Sequence, residues 1–314
     1  MKHRRFLVTG AEGFLGRHLL ADVLQSSDVS VVGIGRSPKT KLAELATAAC
    51  GRYEYEAIDV LDTARLVTIL DVFSPTVIIH LASGLRDDVP KDLISINVLG
   101  TLSLLEAVSQ TVMKPRVLVG SSGGVYGQSK ELPLTEKTPC SPIDLYSVSK
   151  LAQEHVARLT GAARGVDVVV ARIFNLIGAG QDERHACSRF ARQLAAARDI
   201  ETPRVEVGDL SPSRDFIDVR DAAGAILHLA RYGRSGHIYN VASGIETSME
   251  TLLELTCAAA GLPEPPEIRR TYQRAADIPR HVADITKLKA TGYQSRHELP
   301  QSVADLVAYY QTVA

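Results

Sequence analysis

The chain has 314 residues, of which 45% are hydrophobic and 23% are charged, and its formal net charge is −1 at pH 7. This length suits one large domain or two coupled domains around a sizeable core. The balanced charge, without a basic run, gives no electrostatic support for binding nucleic acid or an anionic membrane.

The cysteine pattern and the hydropathy narrow the class of protein further. Four cysteines are scattered without CxxC spacing, which argues against a metal site or a disulfide framework and suits a reducing compartment. No segment reaches the roughly 20 apolar residues that span a bilayer. We therefore expect a cytoplasmic protein without a metal ion.

Strand and helix patterns alternate through the first half of the chain. The predicted strands cover residues 6–8, 29–34, 53–58, 76–80, 116–120 and 166–172. The predicted helices cover 14–24, 41–49, 62–72 (with Asp62 as N-cap), 90–111 and 144–163. The strand at 76–80 is continuously apolar, as expected when both faces of a sheet are covered. The alternation predicts an α/β fold with a Rossmann-type, doubly wound parallel sheet.

The regular alternation of predicted strands and helices ends after Phe174. A polar, glycine-containing stretch precedes a predicted helix at 186–198, and short strands flank a turn at 210–213. A helix at 219–232 and a strand at 237–241 are expected to return to the sheet. We therefore predict a dinucleotide-binding domain from residues 1–174 and 218–243. A smaller, discontinuous substrate domain would comprise 175–217 and 244–314.

Three glycines follow the first strand and open the first helix, which is the context that a dinucleotide-binding turn requires. Gly10 would make the turn, Gly13 would admit the pyrophosphate and Gly16 would let the helix pack closely. The helix N-terminus would attract the phosphates. The other residues of this turn that we expect along the cofactor are Glu12, Phe14 and Leu15.

The residues at the ends of the second and third strands are expected to contact the adenosine of the cofactor. An acid after the second strand would accept a hydrogen bond from the ribose 2′-hydroxyl of NAD, but residues 33–37 read GIGRS. Arg36 could instead pair with a 2′-phosphate, so we predict NADP in preference to NAD, unless Arg36 is a solvated loop residue. Asp59 could bind the adenine amino group or assist the cap at Asp62, and Val60 beside it is also expected along the cofactor.

Tyr146 and Lys150 are four residues apart, so they share one face of a helix, and Ser121 and Ser122 lie upstream. A neighbouring ammonium would lower the tyrosine pKa from about 10. The Ser122 hydroxyl could hold a carbonyl oxygen while Tyr146 gives or takes its proton. Such Tyr/Lys pairs also occur by chance on exposed helices, so this interpretation depends on the glycine turn.

Together with HLAS at 80–83, NVLGT at 97–101 and SSGGVYG at 121–127, these motifs resemble the extended short-chain dehydrogenases/reductases over nearly the whole chain. The resemblance implies that Ser122, Tyr146 and Lys150 are catalytic and that Tyr146 and Lys150 also contact the cofactor. Tyr126 lacks a lysine four residues on and is predicted to pack or to line the substrate pocket. The resemblance also places along the cofactor Leu81, Ala82, Ser83, Asn97 and Ile173.

The second half resembles the nucleotide-sugar branch of that family, through RIFNLIG at 172–178 and RDFIDVRD at 214–221. The resemblance implies that Ser122 and Asn175 bind the substrate and that Arg214 grips its diphosphate, with Arg274 as a second such arginine. Arginine suits this role because its planar fork matches phosphate oxygens. The alternatives are a salt bridge from Arg214 to a neighbouring aspartate, and competition for the role of Arg274 from nearby arginines.

The residues after Ser122 discriminate between reactions. Related 4,6-dehydratases carry acids there, whereas this chain has Gly123 and Gly124. We predict NAD(P)-dependent reduction of a nucleotide-linked 4-keto-6-deoxy sugar, since the chain most resembles the reductases of GDP-linked sugars. The alternative is a 4-epimerase with tightly bound NAD. A non-catalytic NAD(P)-sensing protein is a third interpretation, although such proteins commonly lose the Tyr or the Lys.

The resemblance also implies a quaternary structure. Members of the family often form homodimers in which the helices at 90–111 and 144–163 build a four-helix bundle. Both stretches contain enough apolar residues for this, among them Leu99, Leu151 and Leu159. The same residues could equally belong to the core.

Overall fold

The structure is a computed structural model that describes residues 4–37, 42, 49–197, 203–262, 265–270 and 278–313. A seven-stranded parallel sheet forms its centre, in the order β10-β6-β5-β4-β1-β2-β3. These strands are β1 (Arg4–Thr9), β2 (Val29–Gly35), β3 (Tyr53–Ala57), β4 (Val77–His80), β5 (Arg116–Ser122), β6 (Val168–Ile173) and β10 (Ile238–Val241). The predicted doubly wound sheet is therefore confirmed.

The side chains of each central strand alternate between two apolar clusters. Val8 and Ile79 belong to one cluster, while their neighbours Leu7 and Ile78 belong to the other. All four are fully buried. Alternate residues of a strand point to opposite faces, so both faces of the sheet are covered, which accounts for the continuous apolar runs.

Helices flank the sheet and continue beyond it. They are α1 (Phe14–Val23), α2 (Thr63–Phe73), α3 (Pro90–Gln110), α4 (Leu145–Arg164), α5 (Ala186–Ala196), α6 (Val219–Tyr232), α7 (Met249–Ala260), α8 (Thr286–Lys289) and α9 (Leu299–Val313). The predicted cap is present, since the Asp62 carboxylate accepts a 3.0 Å hydrogen bond from the Arg65 N–H. Most of the helix predicted at 41–49 lies outside the described residues.

Helix α3 is a single helical segment with a π-helical stretch, Ile94–Leu99, in its middle. Its length and composition would allow it to cross a membrane, contrary to our expectation that no segment would. However, half of its most apolar stretch is buried inside the protein. Leu104 and Leu105 belong to the cluster on one face of the sheet, as expected of a core helix.

The chain after β6 builds smaller sheets beside the main one. These are β11-β9-β13, with β7 paired to β9, and the pair β12-β8. Their strands are β7 (Asn175–Ile177), β8 (Arg204–Val207), β9 (Ser213–Asp218), β11 (Glu246–Ser248), β12 (Glu267–Arg270) and β13 (Arg280–His281). Apart from the last residue of β9, they lie in segments predicted for the substrate domain, and we keep the two-domain division as a proposal.

Candidate active site

The glycine turn has the geometry of a phosphate cradle. Gly10 has φ +69°, and a Cβ there would lie 2.7 Å from the Leu81 carbonyl carbon. A Cβ at Gly16 would overlap the Gly10 carbonyl oxygen. Gly13 is the N-cap of α1 and has no side chain to satisfy the first amides of the helix. These features fit a dinucleotide whose pyrophosphate lies at the start of α1.

The first turn of α1 also contacts the chain after β7. Phe14 and His18 make an edge-to-face ring contact at 5.3 Å between centroids. The His18 imidazole lies 3.0 Å from the Ala179 carbonyl oxygen, which fixes α1 to the loop after β7. Phe14 and Leu15 are thus the first residues of α1, as the glycine turn predicts. Their contact with the cofactor stays a prediction.

Three neighbouring strands end at one place beside this turn. A Cβ at Gly120, on β5, would lie 2.9 Å from the Leu81 side chain and 3.5 Å from the Ile173 side chain. Because Gly120 has no side chain, only its backbone lies between the Leu81 and Ile173 side chains. Ligands of open parallel sheets bind at the carboxyl ends of the strands. The geometry supports the predicted positions of Leu81 and Ile173 along the cofactor.

Asn97, in the π-helical stretch of α3, links the loop after β4 to α4. Its Oδ1 accepts hydrogen bonds from the Ser83 hydroxyl at 3.0 Å and the Gly84 N–H at 2.9 Å. Its Nδ2 donates to the Ser149 hydroxyl at 2.8 Å, which donates to the Tyr146 carbonyl at 2.7 Å. Asn97 is fully buried and has partners on both sides of its amide, so its first role is to position the Ser83 loop and α4.

The structure places Tyr146 in the first turn of α4 beside Ser122. Asp144 caps this helix by accepting a 2.7 Å hydrogen bond from the Ser147 N–H. Burial raises the pKa of Tyr146, while the Ser122 hydroxyl and the nearby Arg86 guanidinium oppose the rise. The prediction of a lowered tyrosine pKa is therefore wrong, because desolvation of the phenol outweighs the groups that favour its ionised form.

Lys150 is buried one helical turn after Tyr146. Its Nζ donates a 2.6 Å hydrogen bond to the Gly120 carbonyl oxygen, and only 2% of its surface is exposed. Burial lowers the lysine pKa to about 7, and the Glu154 carboxylate partly opposes this. The ammonium thus lies at the carboxyl end of β5, beside residues predicted to contact the cofactor.

Sequence reasoning missed a buried ion pair that joins this helix to β6. The Glu154 and Arg172 side chains form a bidentate pair with a closest distance of 2.7 Å, and the Ser121 hydroxyl donates to Glu154. The Tyr126 ring lies 4.6 Å from the Arg172 guanidinium, and its hydroxyl donates to Asn240 Oδ1 at 2.6 Å. Tyr126 is fully buried, so of its two predicted roles it takes the packing role.

A second missed residue, Arg86, lies over the Tyr146 ring. Its guanidinium is 5.8 Å from the centre of the Tyr146 ring and forms a 3.1 Å ion pair with Asp144. No motif marks Arg86, because it is in a loop after β4. Only the fold brings this loop to the start of α4.

The two glycines after Ser122 are tightly enclosed. A Cβ at Gly123 would lie 2.9 Å from the Phe174 ring, and a Cβ at Gly124 would lie 2.6 Å from the Ser147 hydroxyl oxygen. The Gly124 N–H donates a 3.1 Å hydrogen bond to the Ser122 hydroxyl. The Phe174 and Ser147 side chains therefore occupy the space that a side chain at either position would need.

The predicted substrate residues lie on and beside β9. The Asn175 amide donates to the Asp215 carbonyl oxygen at 3.0 Å, and Arg214 donates to the carbonyls of Ser213 and Ile278 at 2.8 and 2.7 Å. The Asp215 carboxylate, one of the alternative partners of Arg214, accepts hydrogen bonds from the backbone of three other residues. Arg274 lies outside the described residues.

At the adenosine end, the structure changes one premise. The Glu12 carboxylate accepts hydrogen bonds from the Arg36 and Ser37 N–H groups at 3.1 and 3.4 Å. Residues 33–37 contain no acid, as read from the sequence, but the fold brings the Glu12 carboxylate from the glycine turn to the end of β2. Asp59 is exposed and accepts a 3.0 Å hydrogen bond from the Leu61 N–H, while Val60 is buried. The role of Asp59 at the adenine stays a prediction.

Comparison with known proteins agrees with this geometry. The NAD dependent epimerase/dehydratase family matches residues 6–242. The chain is 36% identical to the GDP-6-deoxy-D-mannose reductase of Pseudomonas aeruginosa over 86% of both chains. It is 31% identical to the UDP-glucose 4-epimerase of Mycolicibacterium smegmatis over 98% of both.

Solved structures give the same result. The structure of RMD from Pseudomonas aeruginosa complexed with NADPH is 32% identical and covers 99% of this chain and 100% of its own, with a TM-score of 0.84. The UDP-glucose 4-epimerase of Thermus thermophilus in complex with NAD is 25% identical over 99% and 100% of the two chains, with a TM-score of 0.84.

Proposed function

The chain belongs to the NAD dependent epimerase/dehydratase family, and from that premise we propose that it reduces the C4 ketone of a nucleotide-linked 4-keto-6-deoxy sugar. It is an NAD(P)-dependent enzyme, as its relatives are. The observation that carries the proposal is the convergence of Ser122, Tyr146 and Lys150 beside two enclosed glycines. This site can move a proton at a sugar oxygen but has no side chain at 123 or 124 for eliminating water.

Each side chain has a role in the reduction. A reduced nicotinamide held beside Leu81 and Ile173 would supply the hydride for the carbonyl carbon. Because burial raises its pKa, Tyr146 stays protonated at neutral pH and can give its proton to the C4 oxygen. The Ser122 hydroxyl would hold that oxygen, and Lys150 would bond the nicotinamide ribose from its place beside Gly120.

The sequence comparison bears on the epimerase alternative. The identity to the GDP-6-deoxy-D-mannose reductase is 36%, against 31% to the UDP-glucose 4-epimerase. This difference favours reduction. A 4-epimerase would use the same tyrosine first as a base and then as an acid, so the tyrosine pKa does not distinguish the two reactions.

The substrate would lie between the sheet and β9. Its diphosphate would lie near Arg214, with Asn175 at the sugar or diphosphate, since both residues flank the carboxyl edge of the sheet from β9 and β7. Arginine offers a planar fork for phosphate oxygens. Arg274 keeps its proposed role as a second phosphate ligand.

We further propose that the enzyme is a cytoplasmic homodimer. Helices α3 and α4 carry exposed apolar side chains, including Leu99, Leu145, Val148 and Leu159, the last of them 70% exposed. Joining these helices with those of a second copy would form a four-helix bundle and cover these side chains.

The function is tested with a GDP- or dTDP-linked 4-keto-6-deoxy sugar and, separately, with UDP-glucose. A reductase oxidises one NADH or NADPH for each keto sugar consumed and leaves UDP-glucose unchanged. Interconversion of UDP-glucose and UDP-galactose without net oxidation of added cofactor would overturn the proposal in favour of the epimerase.

A further inference from the structure

Glu12 brings a carboxylate to the place where the adenosine ribose of a dinucleotide is recognised. Its Oε1 is fixed by the N–H groups of Arg36 and Ser37, the first residues after β2. In dinucleotide-binding folds, the acid that accepts from the ribose 2′-hydroxyl comes from the end of this strand. Here the same position receives a carboxylate from the glycine turn between β1 and α1.

The neighbourhood is shaped around this side chain. A Cβ at Gly35 would overlap the Glu12 carboxylate, so glycine at 35 makes room for it. The Tyr55 hydroxyl donates to the Ser37 carbonyl oxygen at 2.9 Å, which holds the loop after β2 in place. Burial and then the Glu12 charge raise the Tyr55 pKa to about 12, which reflects how close the phenol and the carboxylate lie.

One oxygen of the carboxylate still lacks a donor. Glu12 Oε2 is buried and has no hydrogen bond of ordinary geometry among the residues that the structure describes. The Tyr55 hydroxyl lies near enough for a hydrogen bond to the carboxylate to contribute to its raised pKa, but its proton is directed to the Ser37 carbonyl oxygen. A buried carboxylate oxygen without a donor is costly, and a ligand hydroxyl would satisfy it. A phosphate beside it would instead place two negative groups together.

We propose that Glu12 selects the cofactor, accepting a hydrogen bond from the ribose 2′-hydroxyl and excluding a 2′-phosphate, so that the enzyme prefers NAD(H) to NADP(H). This reverses the preference that Arg36 alone predicts. Arg36 is exposed, and its backbone rather than its guanidinium bonds Glu12. The proposal requires only the family's dinucleotide, so it holds for a reductase and an epimerase alike.

Binding titrations without any sugar nucleotide test this directly. Nucleotide retained from expression is first identified and removed. Dissociation constants for NADH and NADPH are then measured by fluorescence and calorimetry, and those for ADP-ribose and 2′-phospho-ADP-ribose by calorimetry alone. The variants are Glu12→Gln, which removes the charge and keeps the shape, Arg36→Gln, and Glu54→Gln, an exposed acid on β3, as the matched control. Thermal unfolding without ligand checks that each variant folds.

We expect wild type to bind NADH at least about tenfold more tightly than NADPH, with the same ratio for the ADP-ribose pair, since like charges together cost several kcal/mol. Glu12→Gln should shrink the ratio at least about fivefold, whereas Glu54→Gln leaves it unchanged. Equal or tighter binding of NADPH by wild type overturns the proposal, as does a ratio that responds to Arg36→Gln and not to Glu12→Gln. If Glu12→Gln does not fold, the wild-type ratio for the two ADP-ribose fragments decides alone.

Discussion

The Lys150 ammonium is anchored to the Gly120 carbonyl oxygen at 2.6 Å, one helical turn after Tyr146. This bond holds a buried cation at the carboxyl end of β5, where its desolvation is costly. Burial lowers the lysine pKa from 10.5 to about 7. Keeping the protonated amine at this place therefore lowers the free energy of unfolding. Removing this amine should therefore lower the activity of the enzyme and raise its stability.

Replacing Lys150 with Met should slow turnover strongly and stabilise the protein. We expect kcat to fall by about 10²-fold or more and the thermal midpoint to rise by about 2–5 °C at pH 7. Glu154 keeps its own partner, Arg172, so the variant leaves no unpaired buried acid. Activity assays and calorimetry measure both effects, with exposed Lys130→Met as control, and a Met variant less stable than wild type would contradict this account.

The pH dependence of that stabilisation has a defined sign. Between about pH 7 and 10.5, the unfolded chain holds a proton on Lys150 that the folded chain has lost. Wild-type stability therefore gains from rising pH in this window. The advantage of Lys150→Met should be greatest at or below pH 7 and should shrink as the pH approaches 10.5. Denaturant titrations of both proteins at several pH values test this trend.

Replacing two motif tyrosines with phenylalanine should have different effects. One substitution should lower activity, and the other should lower stability. Tyr146→Phe removes the proton donor, so we expect kcat to fall about 10²–10⁴-fold with little change in cofactor affinity. Tyr126→Phe leaves Asn240 Oδ1 without its donor in a buried place, so it should cost about 1–3 kcal/mol of stability and leave kcat within a few fold. Turnover that survives Tyr146→Phe would refute the mechanism.

The contact between Gly124 and Ser147 makes a steric prediction. Because a Cβ at 124 would lie 2.6 Å from the Ser147 hydroxyl oxygen, Gly124→Ala should destabilise the protein by about 1–3 kcal/mol. Adding Ser147→Ala removes that oxygen and should recover most of the loss in a double-mutant cycle. Gly224→Ala, on α6 with its nearest atom 3.6 Å away, is the control and should be neutral or stabilising. Additive effects at 124 and 147 would show that the contact is not the cause.

The proposed dimer gives a prediction about oligomeric state. Leu159→Glu, on the exposed side of α4, should shift the protein to a monomer because it places a charge in the proposed bundle. Val72→Glu, on α2 and 83% exposed, should not. Light scattering over a range of concentrations distinguishes the two results, and a wild type that stays monomeric would exclude the dimer.

The sheet and the order of its elements follow from the sequence because they depend on local patterns. The apolar runs of β1 and β4, the glycine turn and the cap at Asp62 are each specified within about ten residues, and each is found where expected. The family and the fold class inferred from these motifs are confirmed.

The charges around the site could not be predicted in the same way. Glu12 reaches the end of β2 across 24 residues of sequence, and Arg86 reaches Tyr146 across 60. Neither residue has a local signal, since an acid in a turn and an arginine in a loop are common on any surface. Only the packing of α1, α4 and the strand ends decides which charged groups meet, so the position of the Glu12 carboxylate and the direction of the tyrosine pKa shift required the structure.

Arg86 should tune the proton affinity of Tyr146. Its guanidinium lies 5.8 Å from the ring and opposes the effect of burial on the tyrosine pKa, while Asp144 acts in the other direction. Arg86→Gln should therefore raise that pKa further. In the oxidation of a sugar alcohol, which needs the phenolate, the rise of the rate with pH should move to higher pH. At a fixed pH below this rise, we expect the rate to fall by up to about fivefold, the effect of a solvent-exposed charge.

A structural role for Arg86 would give a different result. If Arg86 only held Asp144 in place through their 3.1 Å ion pair, Arg86→Gln would lower the thermal midpoint without moving the pH profile. Arg184→Gln is a matched control, because Arg184 is similarly exposed and also pairs with an aspartate, Asp182. Raising the ionic strength should shrink the difference between wild type and Arg86→Gln, since salt screens an exposed charge. A difference in the pH profile that persists unchanged at about 1 M salt would mean that Arg86 acts on Tyr146 through packing, not through its charge.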